Sequence, residues 1–255
     1  MAPTGFDLSG KVAVITGASR GIGEAIARGM AEHGAVVALA ARKQAGLDAV
    51  AQSIAAAGGH ALPVACHTGK PDMIDALYDR VKAEFGRLDI LVNNAATNPY
   101  FGPVIHITEP LYDKTFEVNV KGYFLMARRA AQLMVEYGRG GSIINVASTA
   151  GISPYPLQGV YAMTKAAVLM MTKVFAKELA GAGIRCNAIC PGLTETQFAK
   201  VLIDTPEWHD LYVKNTPMAR HAQPREMVGA AIYLASDASS FTTGAVIVCD
   251  GGETA

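Results

Sequence analysis

Short runs of consecutive apolar residues alternate along this chain with longer amphipathic stretches. The runs are rich in Val, Ile and Ala, and most are apolar at successive positions rather than at every second one. That pattern is typical of strands in a parallel sheet that is covered on both faces. The strands predicted in this way are residues 12–16, 35–40, 61–65, 90–92, 142–146, 185–189 and 245–248.

Between these strands, apolar positions recur with the spacing of a helix. The predicted helices are residues 21–33, 44–57, 73–85, 109–118, 123–137, 160–180 and 225–235. Strands that alternate with helices predict right-handed crossovers between parallel strands. We therefore expect an α/β protein with a Rossmann-like, doubly wound parallel sheet of about seven strands.

One segment interrupts this alternation after the sixth predicted strand. Residues 192–224 show no clear pattern, and they hold Pro206, Pro217 and the only tryptophan, Trp208. An insertion of this length without a strand is often functional, so residues 193–223 are predicted to form a substrate lid, with a merely ornamental loop as the alternative. Nothing else divides the chain, so we expect a single domain over residues 1–255.

Composition narrows the class of protein that this pattern allows. Charged residues make up 17% of the 255 residues, the 22 basic and 22 acidic side chains cancel, and apolar residues reach 51%. These values exclude a disordered chain and argue against a nucleic-acid partner, which would require an excess of basic residues. The low charge density also indicates that part of the surface is hidden in an oligomer interface.

The ends of the chain and its cysteines give expectations about location. Residues 1–10 show no basic region followed by an apolar stretch, and no apolar run approaches the length of a membrane span. The last residues do not match peroxisomal or retention tails. The four cysteines form no CxxC pair, so they are interpreted as reduced thiols. We expect a cytoplasmic protein with no membrane partner and no metal site.

A glycine-rich turn follows the first predicted strand and opens the first predicted helix. Its glycines stand at the spacing GxxxGxG, which differs from the GxGxxG of the common dinucleotide fingerprint. Glycine lets a pyrophosphate approach the helix N-terminus, where unpaired N–H groups favour an anion. The turn therefore predicts a phosphate loop, and a turn needed only for close packing is the alternative. The loop residues are Gly17, Ser19, Arg20, Gly21, Ile22 and Gly23.

The end of the second predicted strand discriminates between the two nicotinamide dinucleotides. An acidic residue there would bind the ribose 2′-hydroxyl of NAD, whereas an arginine accommodates the 2′-phosphate of NADP. Here Arg42 and Lys43 follow the strand without a carboxylate, and Arg20 can approach the same place. A guanidinium can bind a phosphate with two hydrogen bonds. The sequence thus predicts NADP(H); the alternative is that Arg42 and Lys43 only solvate the start of a helix.

A second group of polar side chains surrounds the start of the sixth predicted helix. Tyr161 and Lys165 lie four residues apart and share one helix face, and Ser148 follows the strand at residues 142–146. A phenol has an ordinary pKa near ~10, which a neighbouring ammonium would lower. Ligands of such sheets bind beyond the strand C-termini. We therefore predict acid–base chemistry by Tyr161 on a carbonyl that Ser148 polarises.

Together these motifs resemble the short-chain dehydrogenase/reductase family over nearly the whole chain. The resemblance rests on the glycine loop, Asn93-Asn94-Ala95-Ala96, Asn119, Ser148, Tyr161-x-x-x-Lys165 and Pro191-Gly192-x-x-x-Thr196. It implies that Tyr161 is the general acid–base, that Ser148 orients the carbonyl, and that Lys165 binds the nicotinamide ribose and tunes Tyr161. It implies further that Asn119 supports a water chain to Lys165.

The resemblance also assigns cofactor contacts outside the glycine loop. It implies that Asn94 and Ala95 lie along the adenosine ribose, and that the loop with Pro191, Gly192, Thr194 and Thr196 contacts the nicotinamide end. Two positions depart from the family pattern: Ala96 replaces a glycine, and His67 stands near the usual place of an aspartate that touches adenine. His67 is carried over as an adenine contact, with an ordinary rim histidine as the alternative.

Three segments are most similar to those of NADP-dependent carbonyl reductases that also act on retinal. They are Arg42-Lys43-Gln44, Cys66-His67-x-Gly69-Lys70 and residues 94–99. The resemblance to the family implies a homotetramer, and a dimer is the alternative. We expect the dimer faces on the predicted helices at residues 109–118, 123–137 and 160–180 and on the last strand.

Three groups of residues are expected to meet at the nicotinamide end of the site. They follow the fourth strand, lie between Ser148 and Tyr161, or belong to the irregular segment. Their apolar and aromatic character predicts a medium-sized hydrophobic ketone, aldehyde or secondary alcohol as substrate. The main candidates are Asn98, Tyr155, Phe198 and Trp208, with Tyr100, Phe101, Ser153, Leu157, Gln158 and Leu202 beside them.

The predicted function is hydride transfer between NADP(H) and such a carbonyl or alcohol. A 3-oxoacyl-thioester reductase of the same fold is one alternative, but it needs a basic patch for an acidic carrier, and the sequence shows none clearly. A non-catalytic dinucleotide-binding sensor is the other. The complete set of Asn119, Ser148, Tyr161 and Lys165 argues against a sensor.

Overall fold

Seven parallel strands form one sheet in the order β3-β2-β1-β4-β5-β6-β7 in the computed structural model, which describes residues 5–255. Residues 1–4, which are part of the N-terminal stretch considered above, lie outside the described residues. The predicted doubly wound sheet is confirmed, with the reversal of strand order between β1 and β4. The strands are β1 (Val12–Thr16), β2 (Val36–Ala41), β3 (His60–Ala65), β4 (Ile90–Asn93), β5 (Gly141–Val146), β6 (Ile184–Pro191) and β7 (Val246–Cys249).

Burial explains why the strand sequences are apolar at consecutive positions. Every residue of β1 and β4, at the centre of the sheet, is buried. The edge strands β3 and β7 have no residue in the buried class. Helices therefore cover both faces of the central strands, as a parallel sheet with crossovers requires.

The helices lie in two layers, one on each face of the sheet. One apolar layer packs α1, α2 and α9 against the strands, and the other packs α3, α5 and α6. The helices are α1 (Gly21–Glu32), α2 (Gln44–Ala56), α3 (Pro71–Phe85), α4 (Glu109–Phe116), α5 (Gly122–Tyr137), α6 (Gly159–Leu179), α7 (Lys200–Asp204), α8 (Pro206–Asn215) and α9 (Val228–Ala235). No helix within residues 5–255 is long and apolar enough to cross a membrane.

The predicted break between two helices at residues 119–122 was wrong. Residues Glu117–Lys121 form a π-helical turn that joins α4 directly to α5. Asn119 and Gly122 are residue types that often end a helix. Here both are buried, and the helix continues through them. A wide turn of this kind occurs often at functional sites because it redirects a side chain.

The segment after β6 is more regular than its sequence indicates. It holds α7 and α8, so the prediction of irregular structure was wrong for most of residues 200–215. Pro206 occupies the first turn of α8, where a missing N–H group costs no hydrogen bond. An isolated parallel bridge between Thr194 and Ala222 ties the two ends of the segment together.

Candidate active site

A cleft of about 690 Å³ opens where the strands end. Its lining includes the residues that directly follow β1, β3, β4 and β5, together with the ends of β2 and β6. All the main predicted site residues line it except Gly23 and Asn119. The predicted residues that line the cleft are Gly17, Ser19, Arg20, Gly21, Ile22, Arg42, Lys43, His67, Asn94, Ala95, Asn98, Ser148, Tyr155, Tyr161, Lys165, Pro191, Gly192, Thr194, Thr196, Phe198 and Trp208.

The glycine loop needs small residues because other backbone approaches it closely. Gly17 has a φ of +67°, and a Cβ atom there would lie 2.7 Å from Nδ2 of Asn94. A Cβ atom on Gly23 would overlap the carbonyl oxygen of Gly17. Gly23 therefore supports the loop from beneath, which is why it does not line the cleft.

The start of α1 fits the phosphates of a dinucleotide. Arg20 is the N-cap residue in an extended conformation, and its side chain makes no capping hydrogen bond. The first-turn N–H groups of a helix lack partners within the helix. Together with the helix dipole, they form a site for an anion.

Thr16, at the end of β1, fixes the predicted ribose-binding residues. Its hydroxyl oxygen accepts hydrogen bonds from the N–H groups of Asn94 at 2.8 Å and Ala95 at 3.0 Å. The Asn94 side chain in turn donates to the Thr16 carbonyl at 3.0 Å. Asn94 and Ala95 are thereby held beside the glycine loop.

Cations gather at the end of the cleft formed by β2 and β3. Arg20, Arg42 and Lys43 are exposed there, and Lys114 of α4 joins them. Lys114 was not predicted, because only the packing of α4 brings it to this edge. Its Nζ donates to Glu117 at 2.8 Å and lies 3.4 Å from Nε2 of His67.

His67 lines the same end of the cleft. Its Nδ1 accepts a hydrogen bond from the Gly69 N–H at 3.0 Å, which fixes the ring. Burial, with Lys114 as the next cause, lowers the pKa of His67 below its ordinary value. A neutral imidazole at neutral pH suits contact with an uncharged ring better than contact with a phosphate.

Ser148, Tyr161 and Lys165 come together on the inner wall of the cleft. Ser148 follows β5, its Oγ accepts from the Ala150 N–H at 3.1 Å, and it is hydrogen-bonded to Tyr161. The Lys165 Nζ lies 5.6 Å from the centre of the Tyr161 ring. Lys165 is only 2% exposed, and it donates to the Val146 carbonyl at 2.8 Å and the Tyr123 hydroxyl at 3.4 Å.

Burial dominates the acid–base properties of this pair. It raises the pKa of Tyr161 to about 12, and the hydrogen bond with Ser148 opposes that rise. It lowers the pKa of Lys165 to about 7. The pKa of Tyr161 is therefore not lowered as the sequence led us to expect, because desolvation disfavours both charged forms. At neutral pH the phenol holds its proton.

Asn119 lies behind the cleft wall in the π-helical turn. Its Oδ1 accepts from the Thr97 N–H at 2.8 Å, and its Nδ2 donates to the Thr97 carbonyl at 2.8 Å and to the Thr164 hydroxyl at 3.1 Å. Thr164 directly precedes Lys165 on α6. The side chain thus joins the loop after β4 to the helix that carries Tyr161 and Lys165.

The other end of the cleft is apolar and aromatic. Phe198 packs 5.6 Å from the Tyr161 ring, and Trp208 meets Phe101 edge-on at 5.5 Å between ring centres. Of the further residues named above, Phe101, Gln158 and Leu202 also line the cleft.

Tyr100, Ser153 and Leu157 were also expected at the substrate end, but they are not among the residues that line the cleft. The Tyr100 hydroxyl donates to the Pro103 carbonyl at 2.9 Å. Ser153 lines a smaller neighbouring cavity. Leu157 lies in a turn with a φ of +70°, and its own carbonyl accepts a hydrogen bond from the Gly102 N–H.

Two polar residues at the substrate end were missed. Tyr212 of α8 and Glu253, which follows β7, both line the cleft, and the Tyr212 hydroxyl donates to Glu253 at 2.5 Å. A signal was present in the double glycine before Glu253, which indicates a turn back toward the sheet. Nothing local in the sequence around Tyr212 distinguishes it.

The sheet order and the contents of the cleft define an oxidoreductase of the Rossmann-like class. Comparison with known proteins specifies the family. Residues 17–254 match the family model described as enoyl-(acyl carrier protein) reductase. The chain is 37% identical over 245 residues to dehydrogenase/reductase SDR family member 4 of Oryctolagus cuniculus, covering 96% of this chain and 94% of that protein. The chain belongs to the short-chain dehydrogenase/reductase family.

Solved structures agree with this assignment. A short-chain dehydrogenase/reductase from Mycobacterium marinum superposes with a TM-score of 0.93 at 41% identity, covering 98% of this chain and 97% of that one. A gluconate 5-dehydrogenase from Burkholderia cenocepacia, in complex with NADP and tartrate, superposes with a TM-score of 0.94 at 36% identity, with coverage of 98% and 97%.

Proposed function

We propose that this protein is an NADPH-dependent carbonyl reductase that also catalyses the reverse oxidation of secondary alcohols. The observation that carries the proposal is the meeting of Ser148, Tyr161 and Lys165 in one cleft with an uncapped helix N-terminus. The first group supplies acid–base chemistry, and the second supplies a dinucleotide site. A non-catalytic sensor would need only the second.

The charges around the cleft favour NADP(H) over NAD(H). Arg20, Arg42, Lys43 and Lys114 line one end, where no carboxylate lines the cleft within residues 5–255. A 2′-phosphate in this place would gain charge-assisted hydrogen bonds. The Burkholderia relative, which has a similar fold, was solved in complex with NADP.

The residues of the cleft divide the work of the reaction. When bound, NADP(H) supplies or accepts the hydride. The glycine loop and the N-terminus of α1 hold its pyrophosphate, and Lys165 holds the nicotinamide ribose. Ser148 donates a hydrogen bond to the substrate carbonyl oxygen, and Tyr161 gives that oxygen a proton as negative charge develops there.

The substrate of this proposal is a medium-sized hydrophobic ketone, aldehyde or secondary alcohol. Phe101, Phe198, Leu202 and Trp208 supply most of the apolar wall. Residues 193–223, which carry α7 and α8, act as a lid over this end of the single domain. No group of three or more His, Cys, Asp or Glu side chains that could bind a metal is found within residues 5–255.

Replacement of Tyr161 tests the proposal. Tyr161→Phe is expected to lower kcat for carbonyl reduction by about 10² to 10⁴, because the proton donor is lost while the ring remains. NADPH affinity is expected to stay within a factor of two or so. The assay follows NADPH oxidation over a panel of ketones and aldehydes, and cofactor binding is measured by calorimetry. Full activity of the variant would contradict the assignment, and tight binding without turnover of any substrate by the wild type would favour a sensor.

A 3-oxoacyl-thioester reductase is the second candidate function. The description of the matching family model, an enoyl-(acyl carrier protein) reductase, favours it. Such an enzyme should reduce a 3-oxoacyl thioester with a higher kcat/KM than the ketone of equal chain length. A direct comparison of the two substrates separates the candidates, and a preference for the plain ketone supports the carbonyl reductase.

A further inference from the structure

Glu253 is the only carboxylate that lines the cleft in the described part of the chain, and the proposed reaction does not use it. It lies four residues after the end of β7, beside Tyr212, whose ring centre lies 5.9 Å from that of Tyr155. The arginine and lysine residues of the lining lie either at the β2 and β3 end or, for Lys165, beneath Tyr161. The substrate end therefore carries a negative charge without a neighbouring cation.

A tight turn holds Glu253 in place. The Asp250 carboxylate accepts hydrogen bonds from the N–H groups of Gly252 at 2.9 Å and Thr254 at 2.8 Å. Gly251 and Gly252 both have positive φ angles, and a Cβ atom on either would lie 2.9 Å from a side-chain atom of the segment before α9. The turn is thus specified by its residues, and the position of Glu253 follows from it.

The Glu253 carboxylate is tied to the wall of the site. The Tyr212 hydroxyl donates to it at 2.5 Å and accepts from the Leu193 N–H, which anchors Glu253 to the segment after β6. Burial raises the pKa of Glu253 above its ordinary value, and hydrogen bonds with Tyr212, Thr149 and Tyr155 oppose that rise. Thr149 directly follows Ser148, so the carboxylate lies close to the group that orients the substrate.

We propose that Glu253 is a specificity-determining residue that excludes carboxylate substrates from this cleft and admits neutral ones. The inference rests on the proposed function, since it concerns the same site. Two like charges that share a partly desolvated cleft repel each other more strongly than they do in water. No lysine or arginine within residues 5–255 lines this end to offset the repulsion, and the hydrogen bond from Tyr212 holds Glu253 in place. A neutral substrate with a hydroxyl group, in contrast, can donate a hydrogen bond to Glu253.

A matched pair of substrates tests this inference. Levulinate and its methyl ester present the same ketone with and without a carboxylate. The wild type should prefer the ester in kcat/KM by about tenfold or more, and Glu253→Gln should reduce that preference by about tenfold, since the amide keeps the shape and removes the charge. Glu84→Gln, which makes the same change on the exposed face of α3, should leave the preference unchanged. If the wild type and Glu253→Gln preferred the ester over levulinate by the same factor in kcat/KM, the inference would be overturned.

A binding measurement separates this inference from the proposed reaction. Pentanoate and pentanamide cannot be reduced, so their binding can be measured by calorimetry in the presence of NADPH, whose nicotinamide ring is uncharged. The wild type should bind the amide more tightly, and Glu253→Gln or Glu253→Ala should lose that discrimination. If no carbonyl is turned over but this discrimination holds, the proposed function fails and the role of Glu253 stands. Equal affinity of the wild type for both compounds would overturn the role, whether or not the variants fold.

Discussion

Tyr161 shows how burial decides the chemistry of one residue. Its neighbour Lys165 stands one helical turn away, yet the environment raises the pKa of the phenol to about 12 and lowers the pKa of the amine to about 7. Both shifts follow from desolvation, which disfavours any charged form. A protonated phenol at neutral pH can donate its proton, which is the role that the proposed carbonyl reduction requires of Tyr161.

The direction of the Tyr161 shift predicts the pH dependence of alcohol oxidation. Oxidation needs the deprotonated phenol as base, so kcat/KM should rise with pH toward the raised pKa. The hydrogen bond from Ser148 stabilises the phenolate and lowers this pKa. Ser148→Ala should therefore move the alkaline rise to higher pH, besides lowering the rate. Steady-state profiles of both proteins measure the shift, and an unmoved or lowered midpoint would contradict this account of Tyr161.

Arg42 offers a residue-scale test of cofactor choice. Its guanidinium is exposed at the end of the cleft where no carboxylate within residues 5–255 is among the lining residues. Arg42→Ala should raise the KM for NADPH by about tenfold or more, because a hydrogen bond to a charged phosphate is lost, and should change the KM for NADH little. Arg80→Ala, which removes an exposed arginine of α3 outside the cleft, is the control. A wild-type enzyme with the lower KM for NADH would refute the NADP preference.

At the scale of elements, the loop between β1 and α1 depends on how closely chain segments approach each other. A methyl group on Gly23 would overlap the Gly17 carbonyl and crowd the Asn94 side chain. Gly23 thus determines the shape of the phosphate loop without facing the ligand. The π-helical turn at Asn119 has a similar role, because it supports the start of α6 through Thr97 and Thr164.

Gly23→Ala should disturb the phosphate loop and weaken NADPH binding by about tenfold or more, in line with the cost of overpacking a tight site. Gly229→Ala on α9 is the matched control, since a Cβ atom there has no heavy atom within 4 Å. It should leave binding unchanged and stabilise the helix slightly. Calorimetric titration with NADPH checks both. Unchanged affinity in Gly23→Ala would mean that the loop can shift without consequence.

At the scale of the whole molecule, apolar surface lies on one pair of helices. Phe124 and Val135 of α5 and Met163, Met170 and Val174 of α6 are all exposed large hydrophobic residues. Several large apolar side chains exposed on two helices that contact each other are typical of an interface. It supports the expectation, drawn from family resemblance, that two chains meet through these helices in a homotetramer.

The oligomer can be tested by adding charge to that face. Light scattering should give the wild type a mass near four times the 26.7 kDa of one chain. Met170→Glu should reduce the mass to that of a smaller species, because a buried carboxylate without a partner is costly. Ala83→Glu adds the same charge on an exposed position of α3 and should have no effect. A monomeric wild type would refute the proposal.

The sequence predicted all seven strands to within two residues at each end, because consecutive apolar positions report burial on both faces directly. It was less successful where local signals compete. Asn119 and Gly122 indicate a helix end, but tertiary contacts carry the helix through them. Pro206 and Pro217 indicate a loop, although Pro206 begins α8.

The sequence by itself determined the sheet, the glycine loop and the pairing of Tyr161 with Lys165, because each depends on residues that are close together along the chain. Only the tertiary structure showed that Lys114 joins the basic end of the cleft and that Tyr212 and Glu253 form the other wall. It also decided the direction of the Tyr161 pKa shift. Charge, solvation and contact between distant segments depend on how the whole chain packs, and no local pattern carries that information.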